Sequence, residues 1–110
     1  MTIDLKDNYQ LIRTEAKDFD NFITLFRKNY ENIKDSHIIL DISHENNFTE
    51  QNILVFLEYA DLQRENGMSF VVITTKVDVD HFPERFNIVP TLVEAEDVIE
   101  MEDIQRDLGF

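Results

Sequence analysis

The sequence predicts an α/β fold: one domain of 110 residues that opens with a β-hairpin and continues as alternating helices and strands around a mixed, mostly parallel sheet covered by helices. Three patterns point there. Two continuous apolar runs, HIILDI at 37–42 and SFVVIT at 69–74, have the length and β-branched content of strands buried on both faces of a sheet. The segments ahead of these runs carry apolar residues at helical spacing. The chain start instead alternates, as the strands of a hairpin do.

Each element follows from its own chemistry. Residues 3–6 and 9–14 alternate on either side of Asp7-Asn8, a pair that tolerates positive φ and suits a tight hairpin turn. From Asp18, placed to cap a first turn, Phe19, Phe22, Ile23, Phe26, Tyr30 and Ile33 recur on one helix face. After the strand at 37–42, Ile53, Phe56, Leu57 and Ala60 share a second helix face, which stops at Asn66-Gly67, where glycine can take the left-handed conformation. HFPERF at 81–86 suggests a short helix with Pro83 in its first turn, and 87–89 a short strand ended by Pro90. Thr91-Leu92-Val93-Glu94 has the form of a capping box, in which Thr and Glu side chains satisfy each other's backbone N–H groups, so a last helix starts near Leu92.

Composition excludes several function classes. With 23 acidic and 10 basic residues, a formal charge of -13 and no basic patch, the chain repels nucleic acid phosphates and anionic lipid, so neither is expected as a partner. A basic protein or a metal cation fits the sign, although acidity also serves simply to keep a small protein in solution. The absence of cysteine removes disulfides, thiolate metal ligands and thiol nucleophiles together. MTIDLKDNYQ lacks the apolar stretch of a signal peptide and no apolar run approaches membrane-spanning length, so a cytoplasmic location is expected.

Nothing in the chain has the pattern of a catalytic or metal site. Two glycines are too few for the usual phosphate-cradling loops. Of the three histidines, His37 opens a strand, His81 opens the short helix, and His44, beside Glu45 in a loop, reads as a solvated side chain. None has the two-His helical spacing of a zinc site. The carboxylates of 94–107 read as a solvated helix face. No catalytic residue, metal or cofactor is therefore expected.

The middle of the chain, LDISHENNFTEQNILVF at 40–56, adds a resemblance. Leu40-Asp41-Ile42-Ser43 matches a strand ending in L-D-L-S, Ile53 and Val55-Phe56-Leu57 match an apolar helix run, and Gly67 matches the helix stop. Together with the order β-β-α-β-α-β-α-β-α, this resembles the STAS domain, the fold of bacterial anti-sigma-factor antagonists and of sulfate-transporter tails. The family's Asp-Ser-Ser-Gly is replaced here by Thr49-Glu50-Gln51-Asn52, so the position at which a kinase phosphorylates the antagonists falls on Glu50. Thr49 reads as the helix N-cap, and would be the phosphoacceptor only with a loop one residue shorter. Ser43 reads as a turn former.

The resemblance implies a non-catalytic regulatory module whose partner is an anti-sigma or related regulatory protein, with binding at Ser43, His44, Thr49, Glu50, Gln51, Asn52 and Ile53. A rival reading is a phospho-regulated antagonist or receiver-like switch using Thr49 or Asp41. Receivers, however, also need an acidic pair after the first strand and a Lys after the last, whereas Glu15-Ala16-Lys17 and Pro90-Thr91 stand there. A third reading is a homo-oligomeric structural module, a homodimer in its simplest form. It arises because Leu92, Ala95 and Ile99 share one face of the last helix whereas Met101, Ile104 and Leu108 lie on roughly the opposite one. One straight helix cannot bury both stripes against one sheet. Either it breaks near Glu100 and folds back, or Met101, Ile104, Leu108 and Phe110 form a patch that another chain covers.

Overall fold

In the computed structural model, which describes residues 1–15, 18–45 and 47–109, five strands form one sheet in the order β1-β2-β3-β4-β5. β1 (Thr2–Leu5) pairs antiparallel with β2 (Tyr9–Arg13), Ile3 opposite Ile12. β3 (His37–Asp41), β4 (Phe70–Ile73) and β5 (Asn87–Val89) then add in parallel, Ile39 facing Leu11 on one side and Val71 on the other. This is the expected α/β fold with its opening hairpin. The turn differs in one detail: Lys6 N–H donates to the Tyr9 carbonyl at 2.9 Å, but neither Asp7 nor Asn8 has a positive φ.

Because each parallel strand is added on the same side of the one before, and crossovers keep one hand, the connecting helices all fall on one face of the sheet. α1 (Phe19–Ile33), α2 (Glu50–Leu54) and α3 (Leu57–Glu65) lie there, where Phe22, Phe26, Phe56 and Tyr59 pack on Ile12, Ile38, Leu40, Phe70 and Val72. Only an element after β5 can reach the other face. α4 (Leu92–Asp107) does so, setting Ala95 and Ile99 over Tyr9, Leu11, Ile39, Val71 and Ile73. Consecutive residues of β3 and β4 thus enter opposite cores, which is why both strands are continuously apolar. The radius of gyration, 13.1 Å, is that of a compact body of this length.

Caps fix the helix ends. Asp18 Oδ1 accepts from Asn21 N–H at 2.8 Å, and Thr91 Oγ1 from Glu94 N–H at 3.2 Å. Gly67, at φ +75°, ends α3 in a Schellman motif, with Met68 N–H bonded to the Gln63 carbonyl and Gly67 N–H to that of Arg64. Two sequence expectations are corrected. The second helix is two pieces, α2 and α3, joined by a tight turn in which Phe56 N–H reaches the Ile53 carbonyl at 3.0 Å. Ile53, Phe56 and Tyr59 are all buried at three-residue spacing, and winding of the 3₁₀ type aligns them on one face. Residues 81–86 are not a helix: a 3₁₀ turn at Val79–His81 includes only the first of them, and Phe82 is extended (φ -118°, ψ 155°), as the residue before a proline prefers. Of the two alternatives left open for the last helix, folding back is ruled out, because α4 runs unbroken through Glu100.

Candidate functional site

The parallel strands all end at one edge of the sheet, so the loops after β3 and β4 and the start of α2 gather there. Asp41 closes β3, and both of its carboxylate oxygens are engaged. Oδ1 accepts from the Ser43 hydroxyl at 2.6 Å and from Ser43 N–H at 3.0 Å, and Oδ2 accepts from Arg13 Nε at 3.3 Å. Burial alone would raise this carboxyl's pKa, but the Ser43 and Arg13 bonds together hold it below the usual range. Lys76, from the loop after β4, donates Nζ to the carbonyls of Ser43 (2.8 Å) and Glu45 (3.3 Å), tying the two loops together.

The start of α2 is built by reciprocal caps. Thr49 Oγ1 accepts from Asn52 N–H at 3.1 Å, while Asn52 Oδ1 accepts from Thr49 N–H at 3.0 Å. Asn52 thus takes the place usually held by Glu or Gln in a capping box. Glu50 is also fixed. Its Oε1 meets His81 Nδ1 at 2.8 Å and its Oε2 accepts from Asp78 N–H at 3.2 Å, which moors the 3₁₀ turn to the helix N-terminus. The His81 bond, aided by Asp78 N–H, holds the Glu50 carboxyl below its ordinary pKa, and the same bond raises that of His81. His81 Nε2 lies 3.5 Å from Asp78 as well.

Among the residues singled out from sequence, His44, Thr49 and Gln51 are exposed, and Ser43, Glu50 and Asn52 are partly exposed, all on this edge. Ile53 is 1% exposed and sits in the core, so it seats the helix rather than offering a contact. His81, Asp78 and Lys76 were not legible as members of this group. Strand order brings their loop beside α2, and the sequence carries no local mark of that juxtaposition. Among the described residues, no three His, Asp or Glu side chains converge as a metal site would require, and no helix is long and apolar enough to cross a membrane.

At the opposite edge, the second half of α4 is held by polar contacts with the strand starts. Glu102 accepts from the Ser69 hydroxyl at 2.6 Å and from Asn87 Nδ2 at 3.0 Å. Asp103 bonds Arg106 Nη2 at 2.8 Å, lies 3.1 Å from His37 Nε2, and accepts from Asn8 at 3.3 Å. Since Ser69 N–H donates to His37 Nδ1 at 2.9 Å, that nitrogen carries no proton. Burial, against the pull of Asp103, lowers the His37 pKa. The sheet-facing stripe Leu92, Ala95, Ile99 therefore continues as Glu102, Asp103 and Arg106, and the helix stays straight. Met101, Ile104 and Leu108 face outward, 61%, 53% and 67% exposed. Phe110, expected to extend that patch, lies outside the described residues, as do Ala16 and Lys17 of the segment after β2.

The fold and these two edges define a small α/β domain with a mixed five-stranded sheet. No protein-family model matches the chain, and no curated protein matches it in sequence.

Proposed function

We propose that the protein is a non-catalytic, cytoplasmic protein-interaction module of the STAS type, acting in regulation through the edge formed by Thr49–Asn52, Ser43 and His44. The observation that carries this reading is the state of Glu50. At the position where the resemblance puts a phosphoacceptor serine, a part-exposed carboxylate is held by His81 and Asp78. The edge offers a partner fixed negative charge at a helix N-terminus, whose dipole favours it by roughly 0.3–1 kcal/mol. The partner on this reading is an anti-sigma or related regulatory protein.

Three features weigh against the switch readings. Both Asp41 oxygens are spent on Ser43 and Arg13, and the strand order β1-β2-β3-β4-β5 with an antiparallel edge is not the doubly wound 2-1-3-4-5 order of receivers. Thr49 is committed to its cap. Intact-mass measurement on protein from its native cell tests this directly. Unmodified chain is expected, and a phosphate on Thr49 or Asp41 would overturn the reading in favour of a phospho-switch.

A further inference from the structure

A groove of about 650 Å³ lies between the hairpin turn and α4. It is at the far end of the sheet from α2 and on the other face, so it is independent of the edge proposed above. Its floor is the buried Tyr9 and Ile99, and Ile104 stands half-exposed on its wall, continuing into the outward stripe of Met101 and Leu108. Leu5, 75% exposed, stands across from α4.

The charged lining is predominantly acidic, with Asp7 and Asp103 among it. Glu96, Glu100 and Asp107 line the groove, and Lys6 is the one base among its lining residues. Glu96 accepts the Tyr9 hydroxyl at 2.7 Å, whereas Glu100 and Asp107 have no ion-pair partner among the described residues. A second copy of this chain would bring its own charge of -13 against these carboxylates. A cationic segment instead gains from them, and apolar side chains on it would cover the exposed stripe.

We propose that this groove docks a basic amphipathic segment of a partner protein, its apolar side chains lying over Tyr9, Ile99 and Ile104 and its Lys or Arg side chains facing Glu96, Glu100 and Asp107. The test is fluorescence anisotropy with a labelled synthetic Lys/Leu amphipathic peptide of about four helical turns, a scrambled peptide of equal composition, and a Glu/Leu counterpart. The Lys/Leu peptide is expected to bind wild type, and to bind Ile104→Asp and the double variant Glu100→Lys/Asp107→Lys at least roughly tenfold more weakly. The exposed control Glu58→Lys, on the opposite face, is expected to change binding by no more than about twofold, as expected for a remote charge under salt screening. Amide shifts on adding the peptide to unmodified protein provide a readout that needs no variant: residues 5–9 and 96–107 are expected to move. Absence of binding, equal binding of the scrambled or the Glu/Leu peptide, equal loss in Glu58→Lys, or shifts confined elsewhere would overturn the proposal. So would a sedimenting dimer that Ile104→Asp dissociates, which would assign the face to a second copy.

Discussion

Tyr30 and Gln63 show what single buried polar groups do in this core. Tyr30 donates its hydroxyl to Gln63 Oε1 at 2.8 Å, and Gln63 Nε2 donates to the Ser36 carbonyl at 2.9 Å, so one amide joins α1, α3 and the approach to β3. Tyr30→Phe keeps the ring and leaves Gln63 Oε1 without its donor, and a shift in the urea midpoint equivalent to about 1–3 kcal/mol is expected. Gly67→Ala meets no neighbouring atom, so its cost is the left-handed backbone alone, about 1–2 kcal/mol by the same measurement. The histidine of the moored turn gives a third expectation. His81 is raised by its bond to Glu50, so the bond's contribution is full below about pH 6.5, the ordinary histidine value, and is lost as pH rises through the raised one. In Glu50→Gln, NMR titration of His81 should return toward the ordinary value. At this scale the caps Asp18, Thr49 and Thr91 were legible, because each bonds a backbone group three residues away. The His81–Glu50 pair was not, since 31 residues separate its members.

The elements show where periodicity informs and where it misleads. β3, β4, α1 and the first half of α4 follow directly from apolar spacing, because each buries that spacing in one of the two cores. The second half of α4 does not. Its apolar stripe is the exposed one, and the residues that face the sheet are Glu102, Asp103 and Arg106, matched to His37, Ser69 and Asn87 at the strand starts. Polar residues continuing the Leu92, Ala95, Ile99 spacing were the available sign of this, visible only to a reading that does not equate burial with apolarity. The two halves should respond differently. Ile99→Ala is expected to cost about 2–5 kcal/mol as a core truncation. His37, whose pKa is lowered, gives stability that is present above about pH 6.5 and lost as pH falls toward the folded value, because the unfolded chain takes the proton first. Stability of wild type measured from pH 7 downward should therefore fall more steeply than that of His37→Gln.

For the whole molecule, the direction in which strands are added decides where function can sit. Three helices crowd one face and one covers the other, while both loops that meet α2 emerge at the carboxyl ends of the strands. The charge of -13 makes every contact with a basic surface salt-dependent, whichever edge is used. Fold class was legible because it rests on order and apolar runs, whereas a partner is chosen by surface groups that few internal constraints specify. On the function proposed above, the α2 edge binds a protein through its fixed charge. Its most direct test is quantitative capture from native lysate on wild type, Glu50→Lys, Gln51→Arg and the remote control Glu31→Lys, with thermal midpoints confirming that each variant folds. A protein retained by wild type and Glu31→Lys and lost by both edge variants is the expected result; retention of the same protein by all four would contradict binding through this edge.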